Sequence, residues 1–134
     1  IKDSSGVWKN TEALLTIKDL IVYPGAELPV IEAIKSGAPG CISATANLNS
    51  KNIGEVIRLS HSGNWNEAER LHQNVKKVRL LFQDYGPIPA QKAILAIKTK
   101  NKSWNNIRPP LQRISKEKVD ALALTLKNSY GFSF

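Results

Sequence analysis

Short apolar runs alternate with helix-like stretches over the first third of the chain. Leu20-Ile21-Val22-Tyr23 is one run and Gly40-Cys41-Ile42-Ser43-Ala44 another, while Ile1-Lys2-Asp3 reads as the end of an earlier one. Between them, Leu14, Leu15 and Ile17 mark a helix over about 8–18. Val30, Ile31, Ala33 and Ile34 mark a second over about 28–36. Pro29 suits a first helical turn, where its missing N–H costs nothing, and Gly37 suits a helix end. A strand–helix step of roughly 20 residues is βαβ spacing, and such gaps are long enough for the crossovers that parallel strands need. Continuous apolar strands fit a sheet covered on both faces.

Beyond residue 48 the period changes to that of helices alone. Asn49 can cap a helix over about 50–61, with Ile53, Val56, Ile57 and Leu59 apolar. Ser62-Gly63 breaks it. Asn64 and Glu67 have the capping-box spacing and open a longer helix over about 65–84, marked by Ala68, Leu71, Val75, Val78, Leu81 and Phe82. Gly86-Pro87-Ile88-Pro89 ends that helix and a further one covers about 90–98. Residues 99–114 read as loop. Ser115 caps a last helix over about 116–128, with Val119, Leu122, Ala123 and Leu126 on one side. The fold expected is α/β, with parallel strands in the first half and a helical extension behind it.

Composition bounds this picture further. The 134 residues allow one domain but fall short of the roughly 250 of a whole (β/α)8 barrel. The chain has no methionine and opens as if in mid-strand, so it is expected to be a fragment of a longer protein. The net charge of +8 is uneven. Residues 1–62 hold 6 basic and 6 acidic side chains, and residues 63–134 hold 13 and 5. That excess is spread over several helices with no nucleic-acid motif, so nucleic-acid binding is not expected, although anionic small molecules would be drawn to such a field. No apolar run reaches the roughly 18 residues of a membrane helix, so no membrane span is expected. The single cysteine, Cys41, reads as a small apolar filler, and a cytoplasmic setting is expected. His61 and His72 lack partners at metal-ligand spacing and read as solvated helix residues; no metal is expected.

The side chain that points to chemistry is Lys2. A charge at the end of a buried strand is costly, and a lysine held there favours the neutral amine, a nucleophile towards carbonyls. From periodicity alone, Lys2 reads instead as a solvated residue. Four matches alter that balance, the last of them in two pieces. Ile1-Lys2-Asp3-Ser4-Ser5-Gly6 resembles the Schiff-base lysine segment of the dihydrodipicolinate synthase and N-acetylneuraminate lyase family. Val22-Tyr23-Pro24-Gly25-Ala26-Glu27 is similar to the family's next strand with its substrate-side glycine, and Gly40–Asn47 to its eighth strand. Pro87-Ile88-Pro89 and Arg108-Pro109-Pro110-Leu111 resemble its C-terminal helical region. The four stand in family order across nearly the whole chain.

The resemblance implies the C-terminal half of a (β/α)8 barrel. Residues 1–62 would run from strand six to helix eight, and residues 63–134 would be a helical C-terminal extension. It implies that Lys2 forms an imine with pyruvate or another 2-oxo acid, that Gly25 lines the pocket, that Ile42 offers its main-chain carbonyl to substrate, and that Ser43 lies at the mouth. Thr45 and Asn47 follow Ser43, with turn hydrogen bonding as their other reading. Asp3 and Glu27 are expected to make structural hydrogen bonds. No organic cofactor is implied, since the imine is itself the electron sink, and a homo-oligomer, commonly a tetramer, is. The family's carboxylate-binding loop and proton-relay tyrosine lie upstream of its lysine, so this half alone is expected to be a poor enzyme or none. An inert half-barrel that only self-associates or pairs with a complementary half is the competing expectation. The Pro24-Gly25-Ala26-Glu27 turn departs from the commonest form of the lysine-biosynthesis branch, which leaves the second substrate open.

Overall fold

The computed structural model describes residues 1–134. The chain forms two compact units, residues 1–76 and 77–134.

The first unit begins with β1 (Lys2–Asp3), α1 (Trp8–Leu15) and β2 (Tyr23–Pro24). The strands pair in parallel, with Lys2 opposite Tyr23 and Asp3 opposite Pro24. α1 stops three residues earlier than its apolar pattern predicts. Thr16 Oγ1 donates to the Ala13 carbonyl at 2.7 Å and the Ile17 N–H to Leu14 at 3.1 Å, which tightens the last turn and closes the helix. The run at 40–44, predicted as a strand, joins no ladder. Its one link to the sheet here is the Ile42 N–H donating to the Pro24 carbonyl at 3.0 Å.

α2 (Val30–Lys35) starts after Pro29 and ends before Gly37, whose φ of 100° only glycine adopts without strain. α3 (Ala46–His61) contains a kink at Asn49, where φ and ψ leave the helical region. Asn49 Oδ1 accepts from the Asn52 side chain at 2.8 Å and not from a backbone N–H, so the helix starts three residues ahead of the expected cap and Asn49 marks its kink. α4 (Trp65–Asp84) follows. Its expected capping box does not close: the Glu67 carboxylate accepts both its hydrogen bonds from Arg70, and the Asn64 N–H goes to the Leu59 carbonyl.

The core of this unit is aliphatic. Val30, Ile31 and Ile34 from α2 meet Ile53, Val56 and Leu59 from α3 and Ala68 and Val75 from α4, with Trp65 and Leu71 packed against the cluster. Each Val, Leu or Ile side chain among them, once fully buried, contributes roughly 1.5–3 kcal/mol. Lys35 lies over the Trp65 ring at 5.1 Å and reaches Glu69 at 3.3 Å.

The second unit takes up the last turns of α4 and adds α5 (Pro87–Lys98), a 3₁₀ turn (Lys102–Asn105) and α6 (Lys116–Tyr130). Pro87 and Pro89 start α5 instead of preceding it, because the first turn of a helix has no use for their missing N–H groups. Ser115 caps α6 by accepting from the Lys118 N–H at 3.4 Å. Gly131, in the left-handed region, closes it, with the Phe132 N–H returning to the Leu126 carbonyl at 3.1 Å. Phe82, Ile94, Leu122 and Leu126 are fully buried in this unit. No helix of the chain is long and apolar enough to cross a membrane.

Candidate active site

The ends of β1 and β2 and the segment after Gly40 come together through backbone hydrogen bonds. The Tyr23 N–H donates to the Ile1 carbonyl at 2.9 Å, the Gly25 N–H to Asp3 at 2.6 Å and the Ile42 N–H to Pro24 at 3.0 Å. Lys2, Gly25, Ile42 and Ser43 therefore lie on three adjoining segments, although they are up to 41 residues apart in sequence.

Each has a local account. Lys2 is solvent-exposed, so the burial expected around it is absent in this chain. Gly25 is fixed by close approach: a Cβ there would lie 2.7 Å from the Asp3 carbonyl oxygen and 3.0 Å from Ser4 Cα. That constraint acts between β1 and β2 and is sufficient reason for glycine. Ile42 leaves 46% of its surface exposed. Ser43 Oγ donates a short hydrogen bond to Glu27 Oε2 and accepts from the Thr45 N–H at 3.3 Å. Asn47 Nδ2 donates to the Ala44 carbonyl at 2.8 Å, a turn-closing bond.

The two carboxylates of this region hold loops in place. Asp3 accepts from Thr11 Oγ1 at 2.5 Å and from the Ser5 N–H at 2.9 Å, and those bonds, the threonine's first, lower its pKa below the usual 3.8. Glu27 is fully buried. One oxygen bonds Ser43, while the other, Oε1, has no hydrogen-bond partner. The Glu27 main-chain carbonyl meets His72 Nε2 at 2.7 Å.

His72 departs from the solvated residue that the sequence suggests. It is 2% exposed, and burial pushes its pKa below 6.5. Burial, with the Glu27 carboxylate second, pushes the Cys41 thiol up to about 12, so this cysteine stays protonated and packs as a small apolar group. His61 Nε2 lies 3.0 Å from the Pro39 carbonyl on the surface. No group of three or more His, Cys, Asp or Glu side chains is placed to hold a metal ion.

The pairing of β1 with β2 and the attachment of the 42–43 segment to β2 set this chain beside known proteins. The model of the dihydrodipicolinate synthetase family matches residues 1–129. The chain belongs to that family. A 4-hydroxy-tetrahydrodipicolinate synthase of Buchnera aphidicola is 30% identical over 120 residues, which are 85% of this chain and 39% of the relative. Among solved structures, dihydrodipicolinate synthase from Agrobacterium tumefaciens aligns with a TM-score of 0.74 at 25% identity, over 94% of this chain and 41% of its own. N-acetylneuraminate lyase from Fusobacterium nucleatum, complexed with pyruvate, aligns with a TM-score of 0.82 at 19% identity, over 94% and 42%.

The family's solved structures are (β/α)8 barrels, and this member of it is a partial barrel. It spans less than half the length of the curated relatives it matches. The hexapeptides singled out Lys2 and Gly25 in the sequence. The sequence alone does not show the Glu27–Ser43 and Glu27–His72 links, which join residues 16 and 45 apart and leave no periodic trace.

Proposed function

We propose that the chain is the C-terminal part of a pyruvate-dependent class I aldolase or lyase, with Lys2 as the imine-forming amine. The observation that carries this is the position of Lys2, in parallel register with β2 and on strand ends that adjoin Gly25 and Ile42. In barrels, the C-terminal ends of strands are where catalytic residues gather.

The step assigned to Lys2 is addition of its neutral amine to the keto carbon of pyruvate or another 2-oxo acid. The carbinolamine takes up a proton from an acid or solvent and loses water to give the protonated imine. That cation draws electrons from the neighbouring methyl carbon, which gives up a proton to a base and becomes an enamine nucleophile. Gly25 lines the pocket, Ile42 supplies its carbonyl, and Ser43, held by Glu27, keeps the 42–45 loop in shape. No cofactor takes part. Residues 1–62 correspond in this reading to strand six through helix eight and residues 63–134 to a helical extension. The assembly is a cytoplasmic homo-oligomer, and an upstream half supplies the carboxylate clamp and the proton relay.

A second reading, a catalytically inert half-barrel that self-associates or pairs with a complementary half, draws support from exposure. Ile1, Ile21 and Ile42 are 61%, 62% and 46% exposed beside strands only two residues long. Apolar side chains next to unsatisfied strand edges invite pairing.

Extending the chain upstream through the remaining barrel strands separates the two. On the first reading the extended protein consumes pyruvate and Lys2→Arg abolishes turnover. Turnover that survives Lys2→Arg removes the assignment. Extended protein without turnover, together with a monodisperse dimer of the 134-residue chain, favours the second.

A further inference from the structure

The second unit contains a cavity of about 440 Å³ between α5, the 3₁₀ turn and the start of α6. This falls in the range of small-ligand pockets, roughly 300–1,000 Å³. Its walls combine two chemistries. Ala93, Ile107 and Val119 are among the apolar residues lining it, and Lys102, Arg113 and Lys116 supply three cations. No Asp or Glu lines it. The surrounding unit is strongly basic: residues 77–134 hold 11 basic and 3 acidic side chains, the whole of the +8 charge.

The loop bearing the cations is held from two sides. Arg113 Nη2 donates to Asn106 Oδ1 at 3.1 Å, and Lys92 Nζ donates to the Asn106 carbonyl. Lys116 is partly neutralised by Asp120 at 2.6 Å. The first turn of α6 is capped by Ser115 and carries Glu117, so the charge facing the cavity comes from side chains and not from the helix end. An arginine fork offers paired donors to a carboxylate or phosphate, and a lysine offers a point charge.

We propose that this cavity binds a small organic anion that has an apolar body, its carboxylate or phosphate held by Arg113 and Lys102 and its body against Ala93, Ile107 and Val119. The site is separate from the strand ends that bear Lys2 and does not depend on the reaction assigned to them.

Amide chemical shifts of the 134-residue chain, titrated with phenyl phosphate, provide the test. Inorganic phosphate supplies the charge without the body, benzyl alcohol the body without the charge, and phenylacetate the other anionic head. Phenyl phosphate is expected to bind about tenfold more tightly than either partial probe, because burying a ring adds to the ionic contact. Shifts should concentrate in residues 89–97, 102–107 and 113–119. Comparable binding of phenylacetate identifies a general anion site; its failure to bind narrows the head group to phosphate within the same proposal. Arg113→Ala and Lys102→Ala should each weaken binding about tenfold, the scale of a lost charge-assisted hydrogen bond. Lys127→Ala, which removes a cation outside the cavity, should not change it, and the unliganded spectrum of each variant reports whether it is folded. Equal binding of inorganic and phenyl phosphate, equal weakening by Lys127→Ala, or shifts scattered over the basic surface overturns the proposal.

Discussion

Residues 1–76 carry 8 basic and 8 acidic side chains, whereas residues 77–134 carry 11 and 3, and the two units place these charges differently. In the first, two carboxylates are built into the fold. Asp3 ties β1 to α1 through Thr11, and the buried Glu27 ties the turn after β2 to Ser43. In the second, the acidic groups are few and exposed, and cations gather round a cavity with apolar walls. The lesson is that charge balance alone says little about where chemistry lies. The neutral unit holds the strand ends and the candidate nucleophile, and two of its carboxylates, Asp3 and Glu27, hold the segments around those ends.

The strongest test of this comparison concerns what the units share. Both rest on aliphatic and aromatic cores, so truncation should be severe in either. Phe82→Ala and Ile31→Ala are each expected to cost about 2–5 kcal/mol in urea unfolding, as losses of a buried large side chain do. A negligible effect of either would mean that its unit is not held by the core described. Next in size is Gly25→Ala. A methyl group forced against the Asp3 carbonyl is expected to cost about 1–3 kcal/mol and to loosen the pairing of β1 with β2, seen as lost exchange protection at Tyr23 and Gly25. Unchanged stability would show that the strand ends are free to part.

A smaller effect separates the units by pH. Burial lowers the pKa of His72 below 6.5, so just under that pH the unfolded chain binds more protons than the folded one. The stability from neutral His72 is complete above about pH 6.5 and declines as pH falls through the window beneath it. Asp3 acts in the same direction further down: its pKa is depressed from 3.8, so its contribution is present above that value and is lost as pH falls through the folded one. Exchange protection in α2 and α3 should therefore fall on mild acidification, and His72→Asn should flatten the first part of that fall. A flat profile in the unmodified chain would contradict the buried position of His72.

The helices were legible because a 3.6-residue apolar period is a local signal. Val75, Val78 and Phe82 in α4, or Leu122 and Leu126 in α6, announce a buried face without reference to the rest of the chain. The strands were legible as apolar runs, yet only Tyr23 of 20–23 entered a ladder, with Pro24 just beyond it, and none of 40–44 did, because a strand exists through its partner's backbone. The candidate site was legible in part for the same reason. Lys2 and Gly25 sit in short segments that resemble a family's motifs. The tie from Glu27 to Ser43 and the burial of His72 are consequences of packing between distant residues, and polarity alone placed His72 at the surface.

The imine itself is the most direct test. The chain and its upstream-extended version are incubated with pyruvate, reduced with borohydride and digested, and fragment masses distinguish the ε-amine of Lys2 from the α-amine of Ile1, which donates to the Ile21 carbonyl at 2.5 Å. The account predicts a reduced pyruvate adduct on Lys2 in the extended protein, stronger than in the chain alone and absent in Lys2→Arg. Lys2 unmodified in both proteins, with any adduct confined to the α-amine of Ile1 in the 134-residue chain or spread over the surface lysines, would contradict it.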